Sequence, residues 1–457
     1  MTYRLLRALF RIALRGFFRR VDVQGRESIP ASGPVLFIAN HTNAFVDPLL
    51  LLTSLDRRVT VTAKSTLARD PLLAPLLKAF GAVLLHRRQD AQEGASSADN
   101  LGALSECVQR LRAGGAVIIF PEGVSHSDPA MRGFRSGAAR IVEAYLKDAS
   151  APELSIVPIG LYFTRKDRWR SDAVALVGEP VEARRWSGGG EVDVPGLTAE
   201  MRRWVESLTV NFRSAEERDL LLGAGRLLGY RREGPAPLDR PGGVDARAQV
   251  ALVHRLQRGA HRLRRDSPDR FESLADETGA LVRELDALGV EAAEVSLPMQ
   301  LGRAALFIMR ELEILVVGAP LALAGSVLHA LPLTVTRRLV RAMSEDEDHP
   351  ASNAVFLSIP IFTIWWLILD VVTLLTLGLG GLVVVAVAVP FAGLVNLHYR
   401  DRGGGVVRRV RTFLLWLRHP EVRTRLEGRM LAWQEQLRAV EAEVTPHHGR
   451  DPGAADV

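Results

Sequence analysis

"PVLFIANHTNAFVDPLLLL", residues 34–52, sets an apolar run before a polar loop and a second apolar run after it. The first run, Val35–Ala39, is short, apolar throughout and followed by a turn, the pattern of a strand buried on both faces. Open α/β sheets bind their ligands at the carboxyl ends of strands. His41 therefore stands where such a fold does its chemistry, and Asp47 follows six positions later. Asp47-Pro48 ahead of "LLLLTSL" also has the form of a helix start, with Asp as N-cap and Pro at the first helical position. The aspartate thus has two readings at this point: a cap, or the carboxylate that fixes the tautomer of a basic imidazole.

The same alternation extends outward over about residues 22–182. Short apolar runs ("PVLFIA", "RRVTVTA", "GAVLLH", "GAVIIF", "LSIVPIGLYF", "AVALVG") alternate with amphipathic stretches, which predicts an α/β domain with a largely buried sheet flanked by helices. Three of these candidate strands are followed by His41, Arg87 and Glu122, which places those residues at one sheet edge. A base beside a bound hydroxyl, without a G-x-S-x-G elbow, suits direct attack by an alcohol on an activated acyl group. Arg87 and Arg88 have the chemistry of a bidentate phosphate clamp. Glu122 repels phosphate and is better suited to holding a basic group or the Phe120–Gly123 turn. A metal set of His41, Asp47, His86, Glu122 and His126 matches no familiar ligand spacing, so no metal is expected.

Charge and hydropathy set the surroundings of this domain. The 457 residues carry a net charge of +6, nearly all of the positive charge being arginine, and one cysteine, Cys107. An anionic partner is implied, and disulfides and cysteine metal sites are excluded. Nucleic acid is disfavoured because no aromatic stacking platform accompanies the basic clusters. Residues 1–21 place Arg4, Arg7, Arg11 and Arg15 at helical spacing among apolar residues. They read either as a helix in the membrane interface or as one packed on its own domain, with no cleaved signal peptide. After the acyl-transfer candidate domain, 22–185, residues 198–300 read as helical, with a linker at 232–243.

Residues 301–400 form a membrane region. The stretches 354–377 and 379–397 are each long enough to cross a bilayer and are separated only at "GLGG", so they predict a transmembrane hairpin. Arg337, Arg338 and Arg341 precede it and Arg400, Arg402, Arg408, Arg409 and Arg411 follow it, which puts both flanks in the cytosol. The stretch 314–333 contains Pro320 and Pro332 and is expected to be re-entrant or interfacial. Asp370 inside the hairpin has two readings, a functional intramembrane carboxylate or, the one preferred, a carboxylate satisfied by a neighbouring helix. A basic helical tail, 401–457, completes the chain.

"NHTNAFVDP", "GAVLLHRRQD", "FPEG" and "VPIGLYF" together resemble, in order and spacing, the four motif blocks of the glycerolipid acyltransferases, the family of lysophosphatidic acid and glycerol-3-phosphate acyltransferases. The resemblance implies that His41 is the catalytic base and Asp47 its partner, and that Arg87, with Gly81 before it, contacts the acceptor phosphate. It also implies that Phe120, Pro121, Glu122 and Gly123 shape the acceptor site, and that Pro158 lies in the acyl-donor region. Acyl-CoA or acyl carrier protein would serve as co-substrate, with no cofactor. Lys64, in "TAKSTL", occupies a place where the family often carries a lysine; stabilising a developing oxyanion and being simply solvated are its two readings.

Two departures stand out: five residues, not four, separate His41 from Asp47, and "FPEGVSHS" replaces "FPEGTRS", for which Arg88, Arg132 or Arg135 are substitutes. These departures, with "RSGAAR" and the hairpin, are similar to the branch containing fungal glycerol-3-phosphate and dihydroxyacetone-phosphate acyltransferases and related bacterial proteins. The expectation is an acyltransferase integral to the inner membrane, with its catalytic domain on the cytosolic face, making phosphatidic acid from 1-acyl-glycerol-3-phosphate. Glycerol-3-phosphate or dihydroxyacetone phosphate is the alternative acceptor. A phospholipid-dependent transacylase and a non-catalytic lipid-binding scaffold are the rivals.

Overall fold

The computed structural model describes residues 2–71, 73–85, 97–164, 169–229, 246–297, 301–343 and 350–444. Arg87, Arg88 and the linker 232–243 lie outside the described residues. The chain divides into two compact units, residues 1–211 with 321–397, and residues 212–320 with 398–457.

The first unit is built on α1 (Thr2–Phe17), β1 (Arg20–Gln24), β2 (Val35–Ala39), α2 (Val46–Ser54), β3 (Val59–Lys64), α3 (Leu73–Phe80) and β4 (Val83–Leu85). It continues through α4 (Ser97–Arg112), β5 (Ala116–Ile119), α5 (Gly137–Leu146), β6 (Ser155–Phe163), β7 (Asp172–Val177), β8 (Val181–Glu182), α6 (Ala183–Ser187) and α7 (Val194–Glu206). The strands form one sheet in the order β1-β7-β6-β2-β5-β3-β4, with β8 also on β6. β2 pairs in parallel with β5 and β6, β3 with β5 and β4. The carboxyl ends of these five strands therefore share one edge, as the sequence pattern predicts. β7 and β8 run antiparallel to β6.

β2 is buried along its whole length because both faces of the sheet are covered. Val35, Phe37 and Ala39 face one core with α1, α2, Ala354 and Val355. Leu36 and Ile38 face the other, built on Cys107, Val108 and Leu111 of α4, Ile141 and Tyr145 of α5, and Met201 and Val205 of α7. Period-two alternation with both sides apolar yields the continuous hydrophobic run seen in the sequence.

α1 packs on its own domain through one face. Phe10, Leu14 and Phe17 are buried in the first core. Arg11 Nη2 reaches the carbonyl of Thr53 at 2.6 Å and Arg7 bonds that of Leu55, so two of its arginines close the carboxyl end of α2. Leu5, Leu9 and Ile12 remain exposed on the opposite face.

The remaining helices are α8 (Ala215–Leu227), α9 (Ala246–Asp266), α10 (Pro268–Leu288), α11 (Ala292–Val295), α12 (Leu301–Met343), α13 (Pro350–Arg418) and α14 (Pro420–Val444). Among the described residues, Gly318–Met343 and Ser352–Arg418 are long and apolar enough to cross a membrane by length and composition. Pro320 and Pro332, in the stretch expected to be re-entrant or interfacial, both lie within the continuous helix α12. A proline removes one backbone donor, and the neighbouring turns of a long apolar helix carry the chain through it.

α13, by contrast, is interrupted at Gly378, whose φ of 70° and ψ of −168° are not helical, in the "GLGG" junction expected from sequence. Trp365 donates to the carbonyl of Leu328 and Trp366 to His329 Nε2, while Ser326 bonds Asn396. Residues on both sides of Gly378 therefore return to the same two turns of α12, which requires a chain reversal at the glycine.

In the second unit α10 and α14 are held by Trp433, whose indole donates to Thr278 Oγ1 at 2.8 Å, and by Arg429, paired with Glu277 and Glu284. The carboxyl end of α13 binds α11 through Arg408 and Glu294, 2.8 Å apart. The sequence reading separates 198–300 from the tail 401–457. Observed packing joins 212–320 to 398–457 and leaves α7 with the sheet.

Candidate active site

The loop leaving β2 is pinned at its first residue. Asn40 is buried and exchanges two hydrogen bonds with Leu161 of β6, 3.1 Å through its Nδ2 and 2.7 Å through its Oδ1. His41 follows with three separate constraints. Its amide donates to Glu122 Oε1 at 2.7 Å, its Nδ1 lies 2.9 Å from Asp47 Oδ2, and its ring stacks on Phe120 at 4.4 Å. The side chain retains 15% exposure, whereas Asp47 is fully buried.

α2 begins at Val46, so Asp47 lies inside its first turn and does not cap it. Its Oδ2 accepts instead from the amides of Thr42 and Asn43, at 2.8 and 2.7 Å, and from the imidazole. A carboxylate held by two backbone donors is oriented before any substrate arrives. With Nδ1–H directed at the carboxylate, the lone pair of Nε2 is left available, and Nε2 has no hydrogen-bond partner among the described residues. That is the arrangement of a general base.

Glu122, in the turn after β5, ties that turn to the loop that follows it. Its Oε2 accepts from the amide of Arg132 at 2.8 Å and from His126 Nε2. His126 Nδ1 accepts the amide of Asp128 at 3.2 Å, and its own amide donates to the carbonyl of His41. Both ring nitrogens of His126 are engaged, so the imidazole braces the loop between Glu122 and Asp128.

Gly123 has φ of 74°, and a Cβ there would stand 2.8 Å from Nε of Arg135. Glycine at this position therefore permits both the turn and the close approach of Arg135, whose amide also donates to Pro121 at 2.8 Å. Arg135 is exposed at the rim of the site.

The structure thus brings together His41, Asp47, Phe120, Pro121, Glu122, Gly123 and Arg135. Lys64 ends β3 on the same sheet edge, opposite Leu85 in the β3–β4 register. Gly81 adopts φ of 66° in the turn after α3, a conformation that suits glycine. Pro158 lies inside β6, opposite Ile38, where its carbonyl accepts the amide of Gly178. Arg87 and Arg88 lie outside the described residues.

Cys107 offers no alternative nucleophile. It is fully buried on α4, and desolvation pushes its thiol up to about 12. Residues that sequence reasoning passed over are Asn40, the bracing role of His126, and Ser352. The hydroxyl of Ser352 accepts the amide of Phe45 at 3.2 Å and lies 3.3 Å from Asn43 Oδ1. No local pattern marks a serine three hundred residues away, although the asparagine at the end of β2 was visible.

Residues 20–162 match the Acyltransferase family. A 1-acyl-sn-glycerol-3-phosphate acyltransferase of Borreliella burgdorferi is 27% identical over 164 residues, 36% of this chain and 60% of the relative. An uncharacterized acyltransferase of Schizosaccharomyces pombe is 24% identical over 36% of this chain and 37% of its own. Glycerol-3-phosphate O-acyltransferase 2 of Saccharomyces cerevisiae is 28% identical over 28% of this chain and 18% of its own. The match spans less than two thirds of each of these relatives. Among solved structures, the 1-acyl-sn-glycerophosphate acyltransferase PlsC of Thermotoga maritima is 21% identical with a TM-score of 0.34, covering 44% of this chain and 76% of that one. The domain formed by residues 20–162, with His41 and Asp47 at one sheet edge, belongs to the acyltransferase family.

Proposed function

We propose that the chain is a membrane-bound acyltransferase that moves a fatty acyl group from acyl-CoA or acyl carrier protein to the free hydroxyl of 1-acyl-glycerol-3-phosphate. The observation that carries this reading is the 2.9 Å contact between His41 Nδ1 and Asp47, which leaves Nε2 as an unbonded base at the sheet edge. Nε2 takes the hydroxyl proton as the oxygen attacks the thioester carbonyl; the imidazolium, stabilised by Asp47, then gives that proton to the departing thiolate. Arg87 and Arg88 are assigned to the acceptor phosphate from sequence, with the exposed guanidinium of Arg135 as a third cation at the rim. The hairpin on either side of Gly378 lies in the bilayer, with the arginine-rich flanks and the catalytic domain on the cytosolic side. Product then stays in the membrane where it is made.

Glycerol-3-phosphate is the second acceptor to consider, because relatives named for that activity also match. The test is acyl transfer from labelled palmitoyl-CoA and from palmitoyl acyl carrier protein, with purified wild type and His41→Ala, offering both acceptors in parallel. Transfer to lysophosphatidate that disappears in the variant is expected. Transfer to glycerol-3-phosphate alone assigns the first acylation instead, and equal transfer by the variant removes His41 from the mechanism.

A further inference from the structure

Between His41 and Asp47 the chain makes a tight excursion. Ala44, at its apex, has φ of 21°, at the edge of the region that residues with a Cβ avoid, and Arg170 is the only other such non-glycine among the described residues. Such backbone persists only where its surroundings over-determine it. Here the surroundings come from the first turns of α13, the helix that opens the hairpin.

Ser352 is completely buried. Its Oγ accepts the amide of Phe45 at 3.2 Å, and its hydroxyl faces Asn43 Oδ1 at 3.3 Å and the Asn43 carbonyl at 3.5 Å. One hydroxyl thus grips the residues on both sides of Ala44. Phe356, one turn later, sets its ring edge-on to Phe45 at 5.0 Å and to Phe10 at 5.7 Å. The grip continues inward, because the amide of Asn43 is one of the donors that hold Asp47 Oδ2, and that oxygen holds His41.

We propose that Ser352 is a positioning residue of the active site: it holds Asn43 and Phe45 so that Asp47 and His41 stay aligned, and thereby couples the catalytic loop to the membrane hairpin. The proposal rests on His41 acting as the base described above. The loop carries the extra residue of its sequence motif without losing the His41–Asp47 contact because α13 braces the excursion. A serine can do this and an apolar residue cannot, since one hydroxyl donates and accepts at once.

The test uses the full-length protein in phosphatidylcholine nanodiscs, with palmitoyl-CoA and lysophosphatidate. Ser352→Ala is expected to lower kcat about tenfold, the scale of a small misplacement of a catalytic group, with KM for both substrates within about twofold. Amides of Thr42, Asn43 and Phe45 should exchange faster with solvent deuterium. Ser352→Thr, which restores the hydroxyl, should recover most of the rate. Ser358→Ala removes a hydroxyl that, among the described residues, bonds only the carbonyl of Val355, and should leave both readouts unchanged. If Ser352→Ala does not fold, Ser352→Cys keeps the size with weaker hydrogen bonds and is expected to show an intermediate kcat and intermediate exchange. Wild-type kcat together with wild-type exchange over residues 42–45 in the Ala or Cys variant overturns the proposal. If wild type transfers no acyl group to any acceptor, the functional reading fails, and the exchange comparison alone decides whether Ser352 holds the loop.

Discussion

The backbone amide of His41 donates to Glu122 Oε1 at 2.7 Å, so a carboxylate in the turn after β5 holds His41 in the loop after the adjacent strand, β2. The second oxygen of Glu122 accepts from Arg132 and His126. A buried carboxylate with three N–H donors is a junction between His41 and the 122–135 loop, and its acceptor capacity is what the junction needs. Glu122→Gln keeps the volume and turns an amide group toward donors. Each buried donor left without an acceptor costs about 1–3 kcal/mol, and the displacement of His41 should lower kcat about 10²-fold. Thermal unfolding and steady-state kinetics on the same preparation check this. Reduced stability with an unchanged kcat would confine Glu122 to scaffolding.

Asp47→Asn separates orientation from charge. The carboxamide oxygen can still accept the amides of Thr42 and Asn43, so the loop is expected to fold as before. On the proposed mechanism it can no longer stabilise the imidazolium formed when His41 takes the hydroxyl proton. A fall in kcat of about 10²–10⁴-fold is expected, the usual range for losing acid–base catalysis. Circular dichroism shows whether the fold is kept, and a variant with wild-type turnover would remove Asp47 from the chemistry.

Much of this arrangement was legible in the sequence, and the illegible part has a common physical cause. β2, β5, β6 and β7 announce themselves because strands covered on both faces read as unbroken apolar runs. His41, Asp47 and Glu122 follow such runs or lie within one loop, so local spacing is enough to place them. Gly378 was similarly visible, since a glycine cluster between two apolar spans marks a reversal. Ser352 was invisible because its meaning comes from packing against Asn43 and Phe45, far away in the chain. Pairing of α14 with α10 was hidden for the same reason: Trp433 and Thr278 have no common sequence pattern. At Asp47 the helix-cap reading failed because α2 starts two residues earlier than that reading needs, at Val46, and the carboxylate turns back toward the loop.

Cys107 offers a check on direct transfer as opposed to a covalent acyl-enzyme on sulfur. Burial on α4 beneath the sheet pushes its thiol up to about 12, so at pH 7.5 only a vanishing fraction is thiolate and reagents have no path to it. The folded protein should take up no N-ethylmaleimide over an hour at pH 7.5, and one equivalent after denaturation, as read by mass spectrometry. Cys107→Ala should keep its kcat within about twofold while losing some stability, since it only shortens a buried side chain. Rapid labelling of the folded protein with loss of activity would place a reactive thiol near the site and reopen the covalent route.

The two faces of α1 lead to opposite expectations for two similar substitutions. Leu5 and Ile12 are 69% and 68% exposed, on the helix face opposite the core, with Leu9 between them at helical spacing. Phe10 is 2% exposed and packs on Phe80 and Phe356. If the domain rests on the bilayer through α1, Leu5→Asp with Ile12→Asp removes two large apolar contacts with lipid and leaves the fold intact. Each is worth about 1.5–3 kcal/mol when fully buried, so even partial insertion predicts an apparent KM about tenfold higher for lysophosphatidate in vesicles. Activity on a short-chain acceptor dissolved in water should not change, because the site itself is untouched. Phe10→Asp, in contrast, buries a carboxylate without a partner and should lower the melting temperature and the activity on both acceptors. Equal effects of the Leu5/Ile12 variant on vesicle and soluble acceptors would show that the exposed face does not meet lipid during turnover, and α1 would then be a packing element alone.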